Sequence, residues 1–230
     1  MNNFIKKNVT VVIPTYNADK TIYSTLNIIS KYFQHIIIVD GKSEDLTIDV
    51  SKKFNTKIIT SQKNRGLQLN LGGKKVTTNW IFFLHSDSIL QNNAVEEIKK
   101  FISSNSNEYI AASFKIKFNQ RNIYSYLLAK IVTLRSKYLK LPYGDQGLLI
   151  SKVFYNKLGG YKGLPIMEDV EIIRNIGFKN IKILNSYIIT DSIRYKSEGW
   201  LIRPLINLYC LISYLLGFNI NKINKIYLRK

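Results

Sequence analysis

Two short apolar runs, each closed by an aspartate, constrain this chain more than any other feature. They are His35-Ile36-Ile37-Ile38-Val39-Asp40-Gly41 and Trp80-Ile81-Phe82-Phe83-Leu84-His85-Ser86-Asp87. β-Branched and aromatic runs without polar alternation form strands buried on both faces, as in parallel sheets. Acids just past the carboxyl ends of such strands lie where open α/β sheets bind ligands. Two converging carboxylates suit a ribose hydroxyl, a base edge and a divalent cation holding a diphosphate.

The first 90 residues alternate strand and helix signals. Val9 to Ile13 reads as a strand closed by Pro14. Asp19 reads as the N-cap of a helix to about Lys31, with Ile22, Leu26 and Ile29 on one face. Ile36 to Val39 is the second strand, and Ser43 or Asp45 caps a helix to about Lys53. Lys57 to Thr60 is a third strand, Leu67 to Lys75 is helical, and Trp80 to Leu84 is the fourth strand. This alternation predicts an α/β fold with a doubly wound, mostly parallel sheet flanked by helices.

After Gln91 the pattern changes. A helix from about Asn92 to Ser103 precedes Ala111 to Phe118, whose alternation suggests a half-exposed, antiparallel strand. Tyr124 to Leu139 reads as helix, and Gly144-Asp145-Gln146-Gly147 leads into the apolar run Leu148-Leu149-Ile150. Gly159-Gly160 closes a short helix, and Pro165 to Glu171 opens another. No composition break marks a linker, and no repeat is visible.

A chain of 230 residues, 46% hydrophobic and 12% aromatic, has enough apolar material for a full core and is not disordered. A single cysteine, Cys210, forms no internal disulfide, and Met1 to Thr10 carries no signal-peptide core. Both point to the cytoplasm. The net charge of +19 favours anionic partners. With no zinc-ligand set, RNA-binding aromatic motif or basic repeat, nucleic acid is set aside in favour of acidic headgroups or phosphorylated substrates.

Leu205 to Phe218 is apolar apart from Asn207 and Ser213, and is shorter than the ~20 residues a bilayer requires. No acid follows Glu198, while Arg203, Lys222, Lys225, Arg229 and Lys230 are basic. The segment reads as an amphipathic helix on an anionic membrane surface, at its inner face, or as a helix docked on the sheet or on a second subunit. The two are compatible, and the oligomeric state stays open.

At this point the chain resembles a known family. Val11-Val12-Ile13-Pro14-Thr15-Tyr16-Asn17 is similar to the first strand of family 2 glycosyltransferases. Asp40-Gly41-Lys42-Ser43-Glu44-Asp45-Leu46-Thr47 follows that family's D-G-x-S-x-D-x-T, and Arg65-Gly66-Leu67-Gln68-Leu69-Asn70-Leu71-Gly72 its R-G-x-Q-x-N-x-G. His85-Ser86-Asp87 stands where the family has a D-x-D metal motif. Gly144-Asp145-Gln146-Gly147, Gly159-Gly160-Tyr161 and Met167-Glu168-Asp169-Val170-Glu171 follow in order. Each motif alone is weak, and their order and spacing are not. The resemblance runs from about residue 9 to the C-terminus and is closest to a bacterial subgroup often found near radical-SAM and selenium-domain genes.

The resemblance implies a GT-A fold, a nucleotide-sugar donor, Mn²⁺ or Mg²⁺, and inversion at the anomeric carbon, with an acceptor that is unknown or lipid-linked. It implies one domain over residues 1–198, with a nucleotide-binding half (1–90), an acceptor half (91–198) and a C-terminal helical extension (199–230). Pro14, Thr15, Asn17 and Ser86 would line the donor pocket, and Asp40 would meet the ribose or base unless it only forms the turn before Gly41. Arg65 would lie near the diphosphate unless it is a solvated surface arginine. Asp87 would hold the metal unless it caps a helix, and His85, replacing the family's first acid, is either a second ligand or a supporting donor. Asp169 matches the family's general base unless it merely favours a helix dipole. Asp145, Gln146 and Glu168 would bind acceptor or donor sugar. Two rivals remain. A sugar-nucleotidyltransferase needs a glycine-rich basic loop after strand one, which Pro14 to Asn17 does not supply. A non-catalytic nucleotide- or lipid-binding module would show no turnover.

Overall fold

The computed structural model describes residues 3–105 and 107–229, so Lys230 lies outside the described residues. In chain order the first half comprises α1 (Asn3–Asn8), β1 (Val9–Thr15), α2 (Asp19–Ile29), β2 (His35–Asp40), α3 (Thr47–Lys52), β3 (Lys57–Thr60), α4 (Arg65–Lys74), β4 (Trp80–Phe83) and β5 (Ile89–Leu90). The second half comprises α5 (Ala94–Ser103), β6 (Ala111–Phe118), α6 (Ile123–Tyr138), β7 (Leu148–Ser151), α7 (Lys152–Lys157), α8 (Glu168–Ile176), β8 (Ile181–Thr190), α9 (Ile193–Glu198), α10 (Ile202–Leu215) and α11 (Ile220–Leu228).

One mixed sheet has the order β3-β2-β1-β4-β7-β6-β8-β5. β1 to β4 are parallel, β7 runs against β4 and β6, β8 is parallel to β6, and β5 runs against β8. Strands β1, β2, β3, β4, β6 and β8 therefore end at one edge, and β7 begins there. The apolar runs are explained by side-chain alternation between two covered faces. Val11, Ile13, Ile36, Ile38 and Phe82 pack under α2 and α5, while Val12, Ile37, Val39, Ile81 and Phe83 pack under α4, α7 and α8. Helix α4 lies close on the sheet because Gly72 has no Cβ. One placed there would lie 2.4 Å from Val12 Cγ1 and 2.9 Å from Val39 Cγ2.

Several expectations need correction. Asp19 is the first residue of α2, not its N-cap, and its N–H donates to Asp45. Asp45, rather than Ser43, holds the entry of α3 by accepting the Thr47 N–H at 3.0 Å. β6 is largely buried rather than half-exposed, and it runs antiparallel only to β7. β8 was not anticipated. Lys182, Asn185 and Ser186 interrupt its apolar pattern, and the last two bond to Glu97 and Asn93 of the α5 entry.

The C-terminal helices are both docked and amphipathic. Cys210, Leu211 and Ile223 pack on Ile166, Met167 and Val170. The opposite face of α10 leaves Leu205, Leu208, Tyr209 and Ile212 exposed. Among the described residues, no helix is long and apolar enough to cross a membrane. Arg203, read from sequence as part of the basic flank, is instead among the most buried side chains, at 2% exposure.

Candidate active site

The common strand edge opens into a cleft of about 540 Å³. The first half supplies Tyr16, Asn17, Arg65, His85 and Asp87, and the second half supplies Tyr143, Asp145, Met167, Asp169 and Thr190. Arg194, Tyr195, Arg203, Asn207 and Tyr227 complete it from the C-terminal helices.

Arg65 organises this edge. It stands in the first turn of α4, whose N-cap Asn64 accepts the Leu67 N–H at 3.0 Å. A cation at a helix N-terminus opposes the helix dipole. The compensation comes from the first turn of α8. Glu168 pairs with Arg65 Nε, and Asp169 Oδ2 lies 4.0 Å from Nη2. Burial alone would lower the Arg65 guanidinium, but Glu168 and then Asp169 outweigh it and raise it, so the charge persists at every accessible pH. Glu168 itself is 1% exposed and outside the cleft.

Asp169 is fixed by two backbone donors, Gly144 N–H to Oδ2 and Val170 N–H to Oδ1, both at 2.8 Å. A Cβ at Gly144 would fall 2.8 Å from His85 Nε2 and 3.4 Å from Asp169 Oδ2, so only glycine lets the backbone approach both. Burial, then the Arg65 charge, pull the His85 imidazole down to about 4. It is therefore neutral near pH 7, the form that binds metal ions. Asp87 Oδ2 accepts the Thr190 hydroxyl at 3.3 Å.

With this geometry in place, similarity to known proteins can be weighed. Residues 10–159 match the pattern of Glycosyl transferase family 2. The chain belongs to that family. The poly(ribitol-phosphate) beta-N-acetylglucosaminyltransferase TarP of Staphylococcus aureus (strain N315) is 30% identical over 129 residues, covering 51% of this chain and 39% of TarP. The chain thus spans less than half the length of that curated relative. The crystal structure of S. aureus TarS 1-349 in complex with UDP-GlcNAc superposes with a TM-score of 0.63 at 16% identity, over 96% of this chain and 70% of that one. The mannosyltransferase PcManGT from Pyrobaculum calidifontis, in complex with GDP-Man and Mn²⁺, gives 0.59 at 14% identity over 79% and 56%. The fold is accordingly that of GT-A glycosyltransferases.

The family 2 motifs divide between the cleft and its supports. Asn17, Arg65, His85, Asp87, Asp145 and Asp169 line the cleft. Pro14 and Thr15 are buried inside β1. Asp40 is 2% exposed, and its carboxylate accepts the Thr15 hydroxyl at 2.9 Å, the Ser43 hydroxyl at 2.6 Å and the Ser43 N–H at 2.8 Å. Ser43 in turn accepts the Asn17 N–H at 2.9 Å, so Asp40 shapes the loop that carries Asn17. Ser86 lies outside the cleft and its carbonyl accepts the Thr25 hydroxyl. Gln146, expected at the acceptor or sugar, is fully buried. Its amide donates to Phe114 O and accepts from Ser136 and Arg135, so it does not reach a ligand. Glu168 is likewise a partner of Arg65 and not a cleft residue, and Glu171 bonds Lys162 and Tyr214 away from the cleft.

Among the described residues, no three His, Cys, Asp or Glu side chains form a ready-made metal cage. That donor set suits a hard cation whose remaining ligands are diphosphate and water oxygens, for which one or two protein ligands suffice. Asp87 with neutral His85 fits this need. Sequence reasoning missed Tyr143, Tyr195, Arg203, Asn207 and Tyr227 as cleft residues. The one available signal was a charged Arg203 at the head of an otherwise apolar helix.

Asp145 carries the cleft's electrostatic cost. Burial is the main cause, with Arg135 opposing and Asp169 and Asp87 adding, of a carboxyl pushed up to about 6. Its Oδ1 is buried without a hydrogen-bond partner. An unfolded aspartate titrates at about 3.9, so between about pH 4 and 6 the native state holds a proton that the unfolded state releases. Stability contributed at this position is therefore lost as pH rises through that window. Asp145→Asn is expected to raise Tm at about pH 7.5 by roughly 2 °C or more and to leave it nearly unchanged at about pH 4. Scanning calorimetry at both pH values checks this, and a lower Tm for the variant at the higher pH contradicts it.

Proposed function

We propose that this protein is an inverting glycosyltransferase that moves a sugar from a nucleoside-diphosphate sugar to an acceptor hydroxyl. The observation that carries the reading is the convergence of Arg65, His85, Asp87, Asp145 and Asp169 in one cleft at the carboxyl edge of the sheet. Nucleotide-sugar complexes of TarS and PcManGT on the same fold support the donor class. The order of motifs from Val11 to Glu171 supports the bacterial subgroup named by resemblance.

Charge supports metal dependence. At the end of the cleft away from Arg194 and Arg203, Asp87, Asp145, Asp169 and Glu168 face Arg65 and Arg135, and His85 is neutral, so a diphosphate added there meets an excess of acids. Asp87 and His85 would hold Mn²⁺ or Mg²⁺, which would neutralise the leaving diphosphate. Arg65, rigid through Glu168, would orient the diphosphate with a planar cation. Asp169, aimed by Gly144 and Val170, would take the proton of the acceptor hydroxyl. The acceptor oxygen then bonds the anomeric carbon from the face opposite the leaving group. The electron pair of the broken carbon–oxygen bond stays on the diphosphate. Asp145 is the alternative base. The base of the nucleotide contacts the loop shaped by Asp40 through Tyr16 and Asn17.

A second strand of the reading concerns location. The exposed apolar face of α10, with Lys222, Lys225 and Arg229 beyond it, supports docking on an anionic membrane surface, where each basic residue contributes about 1 kcal/mol. Lys222, Lys225 and Arg229 changed together to Gln are expected to weaken salt-sensitive co-sedimentation with anionic vesicles by roughly tenfold or more. Equal partitioning of both proteins to anionic and neutral vesicles contradicts the docking.

Two substitutions separate binding from chemistry. Asp87→Asn is expected to weaken UDP or GDP binding in Mn²⁺ by roughly fivefold or more, and not in chelator. Asp169→Asn is expected to keep that affinity and lose turnover by roughly 10²-fold or more. Calorimetry and nucleotide release read these out. Metal-independent binding removes the Asp87 assignment. Full turnover in Asp169→Asn transfers the proton to Asp145, and no turnover in wild type with any donor favours a binding module.

A further inference from the structure

One end of the cleft carries positive charge that the reaction just described does not use. Arg203 opens α10 and is 2% exposed. Its Nη1 donates to Glu198 Oε2 and to the Tyr227 carbonyl, each at 3.0 Å, and its guanidinium lies 3.9 Å over the Tyr227 ring. Its Nη2 is buried, lacks any hydrogen-bond partner, and belongs to a residue that lines the cleft. One helical turn on, Asn207 lines the same cleft, and its Oδ1 is also buried without a partner. Residues four apart share a helix face, so an orphaned donor and an orphaned acceptor lie on the same side of α10.

The surroundings are over-supplied with cations. Glu198 is 3.0 Å from Arg203, 3.7 Å from Arg194 and 4.0 Å from Arg229, so three guanidinium groups share one carboxylate. Arg194 also lines the cleft, and its Nη1 donates to the Tyr227 hydroxyl at 2.7 Å. The other acid at this end, Asp191, is engaged through Oδ1 by Asn119 and by the Ile193 N–H. A buried arginine N–H without an acceptor costs free energy that an anionic ligand recovers. The planar fork of arginine matches phosphate oxygens better than any other side chain does.

Resting on the glycosyltransferase reading, we infer that the acceptor is a phosphate ester bearing a free hydroxyl, with its phosphate held by Arg203 and Arg194 and a hydroxyl donating to Asn207. The chemistry is shared by a soluble phosphorylated polyol and by a lipid phosphate headgroup. Arg203 and Asp169 line the same cleft, so one acceptor can offer its phosphate to the first and a hydroxyl to the second while Arg65 and Asp87 serve the donor.

The test titrates glycerol 1-phosphate, with glycerol as control, into protein saturated with UDP and Mn²⁺. A parallel arm uses phosphatidylcholine vesicles with and without phosphatidylglycerol, on protein with Lys222, Lys225 and Arg229 changed to Gln so that tail attraction is removed. Wild type is expected to bind glycerol 1-phosphate and not glycerol, or the tail variant is expected to keep a residual binding to the phosphatidylglycerol vesicles alone. The first result identifies a soluble source and the second a lipid one. Arg203→Lys is expected to weaken that binding roughly tenfold while UDP affinity stays within about twofold. Arg194 is about half-exposed, so Arg194→Gln keeps the test available if the buried variant does not fold, with an expected loss of roughly threefold. Equal binding of glycerol and glycerol 1-phosphate overturns the inference, as does unchanged phosphate binding in a folded variant. A variant that loses UDP affinity and keeps phosphate binding assigns these arginines to the donor and also overturns it. Failure of UDP to bind wild type at all would instead remove the donor reading itself.

Discussion

The ion pair between Arg65, partly open to the cleft, and the buried Glu168 is the interaction on which the site depends. It joins the amino ends of two helices whose dipoles would otherwise favour an anion at α4 and accommodate one at α8. Glu168 is almost without solvent contact; burial pushes its carboxyl up, and the Arg65 charge beside it opposes that shift. Breaking such a pair by removing one partner typically costs about 3–5 kcal/mol, because the other charge is stranded. Asp169, next in sequence to Glu168, is thereby positioned at the cleft, and Gly144 and Val170 fix its direction. A structural acid and the acid proposed as general base are thus adjacent in the chain. Met167, which precedes both, enters the helix in the left-handed region at φ 61°.

The sheet explains why so many distant segments meet. With β7 reversed between β4 and β6, the amino end of β7 faces the same edge as the carboxyl ends of β4 and β8. His85 and Asp87 follow β4, Asp145 precedes β7 and Thr190 closes β8, so a single edge gathers residues more than 100 positions apart. The absence of a Cβ at Gly144 then lets two backbones and two side chains crowd into one spot. The C-terminal helices complete the wall by docking on Ile166, Met167 and Val170, which ties the far end of the cleft to the same α8 that presents Asp169.

Much of this was legible in the sequence, for physical reasons that also mark the limits. β1, β2 and β4 are readable because burial on both faces leaves their central runs apolar, with Thr10 the one polar residue inside them. Asp87 and Asp169, singled out by the family motifs, both line the cleft. β8 was hidden because Asn185 and Ser186 satisfy their polar groups against α5, a tertiary fact. Asp40 and Gln146 looked like ligand contacts because polar residues near glycine are common in sites. Their partners, Thr15, Ser43, Ser136 and Phe114, are distant in sequence or invisible to spacing. Arg203 looked like one more basic residue in a basic tail, and only packing against Tyr227 shows that it is buried in the cleft.

In this reading the diphosphate of a nucleotide donor sits between Asp87 and Arg65, and Asp169, 4.0 Å from the Arg65 guanidinium, lines the same cleft. The most direct measurement is a crystal structure of the protein soaked with UDP, or with GDP, and Mn²⁺. The account predicts manganese on the Asp87 carboxylate, diphosphate oxygens on that metal and facing the Arg65 guanidinium, and the base beside Tyr16 and Asn17. A nucleotide bound elsewhere, or a metal held at this edge without Asp87, would contradict it.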